Sequence, residues 1–359
     1  MTAETSLTDE KRQRLTFRWA DFPPLSAHLP GTGGALRQIP EDFQVKELPL
    51  YEPQGYGSHA YVWLEKRSLS TRDVVVHLLR QGLKEKDVGV AGLKDKHAVT
   101  RQWLSVPQRH AGALGALETL EGVRVLQTSR HKNKLGIGHL RGNRFRVRVR
   151  GATGGAAGAE RTAQFLCEAG VPNYFGPQRF GRFGTNAVDG YRLIRGEAVP
   201  GGHRLKLFFL SALQSLLFNH LLAERIRSGL FSTVILGDWA KKHDTGGEFE
   251  VLDAAEAERA KRFEISATLP LYGKKVRVSD ARAGELEAAT LEYYGLRWTD
   301  FTRRRGDRRL TRLALPKIEV EPTPDGYWLS FSLRKGAFAT SVLREVMKVS
   351  VDEHAEDGS

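Results

Sequence analysis

Hydrophobic and polar residues alternate most regularly over 143–150. Phe145, Val147 and Val149 fall on one side of an extended chain, at every second position. The opposite side consists of four arginines, Arg144, Arg146, Arg148 and Arg150. The pattern predicts a strand with one buried face. Its basic face could follow a phosphate backbone, or it could be an ordinary solvated sheet face.

The same kind of pattern predicts the other elements. Ser70 begins a helix with a capping box completed by Asp73, and Gly82 ends it. Strands are predicted at 58–64, 88–91, 100–106, 317–321 and 327–333, and helices around Cys167, near 211–228, 253–263 and 280–294, and from Thr340. Residues 1 to about 30 are predicted to be a loose leader, and 151–159 a flexible linker. Strands and helices do not alternate regularly, which favours an α+β fold.

The chain is long enough for two domains and basic enough to attract polyanions. It has 359 residues, 40% of them hydrophobic, which is sufficient for a sizeable core. Lys plus Arg number 55 against 42 for Asp plus Glu, so the net charge is +13 and the pI is near 9.8. Nucleic acid is the first partner that this charge predicts, and an anionic membrane surface is the second. A soluble protein that is merely basic is the third interpretation.

Cysteine content and hydropathy narrow the class of protein further. Cys167 is the only cysteine, which excludes an intramolecular disulfide and argues against a cysteine-based zinc site. The first fifteen residues are charged and lack the apolar core of a signal peptide. The most apolar stretch, 205–226, is interrupted by polar residues and is predicted to be a buried helix, not a membrane span. These features predict a cytoplasmic protein.

One short loop carries the best candidate for chemistry. Residues 91–98 read AGLKDKHA and follow a predicted apolar strand, with Asp95 between Lys94 and Lys96. Flanking lysines favour a charged carboxylate, which suits a nucleophile or a general base, and Gly92 allows close approach of a ligand. An ordinary turn has the same composition. The spacing of a phosphate-binding P-loop is absent.

Two further features could serve RNA binding. The run 303–312 contains six arginines, which could contact phosphates or could lie on an exposed helix end or a disordered loop. Aromatic residues also stand beside basic ones, at Tyr174, Phe175, Phe180, Phe183 and Phe338. Such rings can stack on unpaired bases, although most aromatic residues are simply part of a core.

Five segments, in order along the chain, are similar to motifs of one enzyme family. They are 40–47 (PEDFQVKE), 92–103 (GLKDKHAVTRQW), His131-Lys132 with 142–145 (GNRF), 172–181 (PNYFGPQRFG) and 336–345 (GAFATSVLRE). Together they resemble the TruD family of pseudouridine synthases over about residues 33–346. A single motif would be weak, but five in the same order are a specific signature.

The resemblance implies a fold, a reaction and a partner. The expected fold is α+β: a pseudouridine-synthase catalytic domain with a mixed, mainly antiparallel sheet, formed by 1–169 and 313–359, and an inserted α/β domain at 170–312. The expected reaction is isomerisation of uridine 13 in the D arm of tRNA, which breaks the N1–C1′ bond and rejoins the uracil through C5. Such a reaction implies tRNA as partner, no cofactor, no metal and no membrane. We expect a monomer.

The resemblance also implies site residues. Asp95 would be the catalytic carboxylate, whether it attacks C1′, adds to the ring or removes a sugar proton. Asn143 would bind the substrate or hold the loop, and Phe145 would stack on the uracil. Phe43 and Phe338 would line the pocket. The family pattern has Lys where this chain has Arg37, which is expected at the site either as a simple positive charge or as a poor substitute for a compact ammonium.

Two other classes of function compete with this one. A non-catalytic tRNA-binding protein or RNA chaperone would use the same basic surface without needing Asp95. A nucleoside hydrolase with Asp95 as base would normally need a second carboxylate nearby, and Glu41 and Asp42 are available.

Overall fold

The computed structural model describes residues 7–302 and 304–349. Within them, the contacts between residues divide the chain into two units. The sheet unit comprises Pro30–Cys167 and Leu315–Ala339. The helical unit comprises Met1–Leu29, Glu168–Ala314 and Thr340–Ser359.

The strands of the described residues agree well with the predicted alternation. In chain order they are β1 (Phe43–Pro49), β2 (His59–Arg67), β3 (Gly89–Val90), β4 (Val99–Pro107), β5 (Val123–His131), β6 (Leu140–Arg150), β7 (Val171–Pro172), β8 (Trp239–Lys242), β9 (Glu248–Glu250), β10 (Ile265–Leu271), β11 (Asp307–Leu310), β12 (Arg312–Leu313), β13 (Ile318–Thr323) and β14 (Gly326–Arg334). All the strands predicted at 58–64, 88–91, 100–106, 143–150, 317–321 and 327–333 are confirmed, with shifted ends.

The sheet unit is built on one mixed sheet with the strand order β13-β14-β6-β1-β4-β2-β5, and β3 pairs with β4 at the side of this path. The pair β1–β4 is parallel and the other pairs are antiparallel. The predicted α+β class with a mainly antiparallel sheet is therefore confirmed. Val147 and Val149 of β6 are fully buried, as the alternation requires.

The helices are also close to their predicted positions. They are α1 (Asp9–Leu15), α2 (Thr71–Arg80), α3 (Gly155–Ala169), α4 (Asn186–Ile194), α5 (His203–Arg227), α6 (Glu256–Lys261), α7 (Ala281–Tyr293) and α8 (Ala339–Met347). At α2 the Ser70 hydroxyl accepts from the Asp73 backbone, and the Asp73 carboxylate accepts from the Ser70 backbone, so the capping box is confirmed. Val74 and Leu78 then face the core beneath the sheet.

The helical unit has α5 at its centre and a smaller four-stranded sheet, β11-β10-β8-β9. By length and composition α5 is apolar enough to cross a membrane, but 67% of its most apolar window is buried in the protein. Gln214 and Asn219, two of the polar residues that interrupt it, bond to backbone groups of neighbouring segments. The predicted buried helix is confirmed.

Two predicted irregular segments are wrong. The leader contains α1, capped by Thr8, and Phe17 and Phe22 are buried in an aromatic cluster in which Phe17 stacks on Phe180 at 4.2 Å. Aromatic residues at irregular spacing give no periodic signal, so the pattern missed them. The predicted linker 151–159 supplies the first turn of α3, because its alanines favour helix and its small residues pack closely on Thr32.

The basic run at 303–312 is neither an exposed helix end nor a disordered loop where the structure describes it. Arg308 pairs with Glu287 at 2.7 Å, and both side chains are buried. Arg312 is also buried and donates to Ser266 Oγ at 2.6 Å. Arg303 lies outside the described residues. Sequence spacing alone cannot distinguish arginines that hold strands together from arginines on a surface.

The division into units differs from the predicted domain ranges at the chain ends. Residues of the leader and of α8 are grouped with the helical unit. The Glu345 carboxylate accepts from the backbone of Leu25 and Ser26, and Tyr174 of the helical unit donates to the Pro23 carbonyl at 3.3 Å. The assignment of a catalytic domain to 1–169 and 313–359 and of an inserted domain to 170–312 stays a prediction.

Candidate active site

The loop that carries Asp95 is fixed to the sheet through the residue before it. The Lys94 backbone N–H donates to Thr71 Oγ1 at 2.8 Å, and Lys94 Nζ lies 2.6 Å from Glu47 Oε2. Both partners of this ion pair are almost fully buried. Lys94 therefore points into the sheet unit, contrary to the expectation that it flanks the Asp95 carboxylate. A buried pair of this kind is costly to break, which anchors the loop.

The structure places Arg37 beside Asp95. Its Nη2 lies 3.4 Å from Asp95 Oδ2, and the two side chains are 18% and 41% exposed. Arg37 has a φ of 54°, in the left-handed region that a residue with a side chain occupies only at a cost of about 1 kcal/mol or more. The structure thus brings together two of the residues expected at the site, and leaves the carboxylate open on one side.

Two of the aromatic residues expected at the site lie next to one another, beginning at Arg37. Its guanidinium lies 4.1 Å from the centre of the Phe43 ring, and Phe43 meets Phe145 edge to face at 6.2 Å. Phe145 in turn stacks on Phe331 at 5.4 Å, and only 7% of it is exposed. Phe331 was not expected from the sequence, although the alternation of β14 places it on the buried face. One face of Phe145 is therefore already covered by a ring of the protein.

The strand register places these residues in two neighbouring rows across the sheet. Residues paired across adjacent strands project from the same face. The first row, in order, is Phe331, Phe145, Val45, Thr100 and Lys66. The second row contains Leu333, Asn143 and Glu47, and Gln102 lies on the same face of β4, two residues beyond Thr100. The predicted shared face of Asn143 and Phe145 is confirmed.

This face carries hydrogen-bonding atoms that the protein does not use. Among the described residues, Oδ1 of Asn143, Nε2 of Gln102 and Oγ1 of Thr100 are buried without a hydrogen-bond partner. Each such atom costs about 1–3 kcal/mol unless a ligand or water satisfies it. Thr100 and Gln102 are fully buried, whereas Asn143 is half-buried, so of these three residues Asn143 is the one placed to reach a ligand.

Lys66 is a site residue that sequence reasoning missed. Its side chain is fully buried, and Nζ donates to the carbonyls of Asp95 at 2.9 Å, Lys94 at 3.5 Å and Leu69. Burial lowers the pKa of Lys66 to about 8; the charge of Asp95 opposes this shift, that of Lys94 adds to it, and that of Asp73 opposes it. The available signal was its position on β2, in phase with the apolar Val62 and Leu64.

Phe338 lies in the short segment between β14 and α8 and is half-buried. A backbone bond from Lys335 to the Arg141 carbonyl fixes the start of this segment. The role of Phe338 in lining a pocket stays a prediction.

The two carboxylates considered for a hydrolase are engaged elsewhere. Asp42 is 1% exposed and accepts a fork of bonds from Arg150, from Nε at 2.9 Å and from Nη2 at 2.8 Å. Glu41 pairs with Arg67 at the surface, and the hydrogen bond from Arg67 lowers the Glu41 pKa. In the described part of the chain, no three His, Cys, Asp or Glu side chains are grouped as they would be around a metal ion.

The arginines of β6 are paired with carboxylates. The pairs are Arg144–Glu319 at 3.5 Å, Arg146–Glu321 at 2.7 Å, Arg148–Asp325 at 2.8 Å and Arg150–Asp42 at 2.8 Å. This arrangement favours the solvated sheet face over a track for a phosphate backbone. The acidic partners are mostly on β13 and its turn, about 175 positions away in sequence, so no local pattern announces them.

Comparisons with known proteins agree with the resemblance. The family model described as tRNA pseudouridine synthase D (TruD) matches residues 22–201 and 197–346. A protein named tRNA pseudouridine synthase D from Thermus thermophilus is 52% identical over 343 residues, covering 95% of this chain and 96% of its own. One of the same name from Anaeromyxobacter dehalogenans is 47% identical over 349 residues, covering 94% and 99%.

A solved structure shares the fold. The crystal structure of a putative tRNA pseudouridine synthase D from Methanosarcina mazei superposes with a TM-score of 0.74 at 24% identity, and covers 96% of this chain and 99% of that one. With the family model and the relatives in agreement over nearly the whole length, this chain belongs to the TruD family of tRNA pseudouridine synthases.

Proposed function

We propose that this protein isomerises uridine to pseudouridine in tRNA, at position 13 of the D arm, with Asp95 as the catalytic carboxylate. The observation that carries the proposal is the placement of Asp95. Its side chain is partly exposed on a loop tied to the sheet, and lies 3.4 Å from Arg37. Membership of the TruD family supports the reaction class.

The chemistry asks for few protein groups. The N1–C1′ bond breaks, the uracil turns and a C5–C1′ bond forms. C5 loses its proton to solvent and N1 takes one up, so the composition of the RNA is unchanged and no cofactor has to supply an atom. The target base must leave its stack to reach a carboxylate. Asp95 supplies that carboxylate, and Arg37 and Phe43 form the wall beside it. Asn143, which is half-buried and has an unused Oδ1, would bind the edge of the uracil.

A cluster of like charges in the helical unit supports a polyanionic substrate. The guanidinium groups of Arg179 and Arg309 both lie over the Phe175 ring, at 5.4 and 4.1 Å. Burial and then the charge of Arg304 lower the pKa of Arg179, and burial and then the charge of Arg179 lower that of Arg309 to about 9. Arg179 donates to the Ser211 hydroxyl at 3.3 Å and Arg304 donates to the Leu207 carbonyl at 3.1 Å, and both of these acceptors are uncharged. Phosphate groups of tRNA would offset this repulsion.

The test is tritium release from unmodified tRNA that carries [5-³H]uridine, followed by mapping of the product by carbodiimide labelling and primer extension. The proposal expects release and a single new pseudouridine at position 13. Modification at another position would keep the reaction and overturn the site. Free uracil among the products would instead identify a hydrolase, and tight tRNA binding without release from any tRNA would favour the non-catalytic RNA-binding protein.

Deuterium at C2′ of the target uridine tests one of the three possible roles of Asp95, the removal of a sugar proton. A primary isotope effect on the reaction would identify removal of a sugar proton. Its absence would leave attack at C1′ or addition to the ring. We further propose that the enzyme is monomeric and cytoplasmic and that it needs no cofactor.

A further inference from the structure

Asp95 is held by contacts that act on its backbone, and these contacts meet at one side chain. Lys66 Nζ donates to the carbonyl of Asp95 itself, to that of Lys94 before it, and to that of Leu69. Leu69 immediately precedes Ser70, which caps α2. Lys66 thus joins the candidate catalytic loop to the start of α2 and to strand β2 of the sheet.

The arrangement is unusual for a buried lysine. An ammonium group has three N–H donors, and here three backbone carbonyls receive them. Burying a charge without a carboxylate in direct contact is expensive. The charged groups nearest to it act at longer range: Asp95 and Lys94 from the loop, and Asp73 from α2. Lys94 is itself neutralised by Glu47 of β1.

A second contact fixes the same loop from the other side of the backbone. Thr71 is buried at the first turn of α2; its hydroxyl accepts from the Lys94 N–H at 2.8 Å and donates to Gln102 Oε1 at 2.9 Å. The peptide groups around Lys94 and Asp95 are therefore held through both N–H and C=O. The Asp95 side chain itself stays partly exposed, at 41%.

We propose that Lys66 is a positioning residue for catalysis, whose ammonium clamps the backbone carbonyls of the Asp95 loop and so fixes the direction of the Asp95 carboxylate. This inference rests on the proposed role of Asp95. Misplacing a reacting group by about 1 Å costs on the order of a hundredfold in rate, so a clamp of this kind should be visible in turnover.

The clamp depends on protonation. A neutral amine has two N–H donors and no charge, so loss of the proton weakens the hold on the loop. Because burial lowers the pKa of Lys66 to about 8, the hold is complete below pH 7 and fades between pH 7 and 9. A loss of activity at acid pH would come from groups other than Lys66.

The experiment compares wild type with Lys66→Met and Lys66→Arg, and uses Lys84→Met, an exposed lysine of the sheet unit, as the matched control. The kcat/KM for tritium release is measured from pH 6 to 9.5, and tRNA binding is measured separately. Wild type and the control should lose activity with an apparent pKa near 8. Lys66→Arg, which stays charged, should lack this limb, and Lys66→Met should be slower by about tenfold or more below pH 7 with tRNA affinity unchanged. Ionisation of the uracil in the substrate affects all the variants equally, so it cannot cause a difference between their pH profiles.

Hydrogen exchange provides a readout that does not depend on the chemistry. Backbone amides of 92–98 should exchange faster in Lys66→Met while the strands of the sheet keep their protection. Thr71→Val should also speed the exchange of these amides, whereas Thr71→Ser should not, because serine keeps the hydroxyl. Neither substitution removes a charge, so this pair tests the hold on the loop even if the Lys66 variants misfold. The inference would be overturned if Lys66→Met kept both the activity and the amide exchange rates of wild type. It would also be overturned if Lys66→Arg still lost activity near pH 8. Faster exchange in Lys66→Met together with full activity of Asp95→Asn would keep the clamp and reject Asp95 as the catalytic group.

Discussion

Arg37 Nη2 contacts Asp95 Oδ2 at 3.4 Å, and the same guanidinium covers the Phe43 ring. Arg150 contacts Asp42 differently, through a two-pronged fork. A fork requires the planar guanidinium, whereas a contact such as that from Nη2 to Oδ2 can also be made by an ammonium. We therefore expect the position of Arg37 to accept either Arg, as in this chain, or the Lys of the family pattern.

The first prediction concerns that charge. Arg37→Lys should retain activity within a few-fold, since it keeps both the positive charge and a cation over Phe43, whereas Arg37→Met should lower kcat/KM by about a hundredfold. The measurement is tritium release under single-turnover conditions. Arg150→Lys is the comparison: loss of its fork should lower the free energy of unfolding by about 1 kcal/mol. Equal damage from Arg37→Lys and Arg37→Met would show that shape, not charge, is required.

The second prediction concerns the arginine cluster of the helical unit. Replacing Arg304 by Gln removes a like charge from Arg179, so thermal stability should be unchanged or higher. Affinity for tRNA should fall, and the slope of log K against log salt should become shallower by about one. Arg259→Gln, in the same unit but already paired with Glu256 and Glu264, should leave tRNA binding unchanged. A destabilised Arg304→Gln variant with full tRNA affinity would assign the cluster a structural role.

The third prediction concerns pH and stability. His220 stacks on Tyr293 at 4.7 Å, and burial is the main reason that its pKa is lowered. The folded state therefore binds the proton less readily than the unfolded chain, so this group costs stability once the pH falls below its unfolded pKa of about 6.5. Urea unfolding should show a larger loss between pH 7.5 and 5 in wild type than in His220→Gln. The exposed His203→Gln should behave as wild type; an identical loss in all three would assign the acid sensitivity to other groups, such as His131, whose pKa burial also lowers.

Much of the sheet unit could be predicted because its signals are local. The alternation at 143–150 and the Ser70–Asp73 capping box each lie within a few residues, and the backbone hydrogen bonds that they imply are present. The resemblance then singled out Asp95, Arg37, Phe43 and Phe145, which the structure brings together. Their roles in catalysis stay predictions.

What the sequence did not predict depends on distant partners. Lys94 was expected beside the Asp95 carboxylate, but it forms an ion pair with Glu47, which is 47 positions away in the sequence. Three of the acids opposite the β6 arginines, Glu319, Glu321 and Asp325, lie on the hairpin formed by β13 and β14. Lys66 was overlooked because a lysine in an apolar strand reads as an exposed residue, and only the folded loop supplies its three carbonyl acceptors.

The most direct measurement is tritium release by Asp95→Asn, with Asp95→Glu beside it. Asparagine keeps the size of the side chain and removes its charge. We predict no release from saturating [5-³H]uridine tRNA by Asp95→Asn, with tRNA affinity and thermal unfolding like those of wild type. Release by Asp95→Asn at the wild-type rate would contradict the account, because the carboxylate on which the site is centred would then take no part in the reaction.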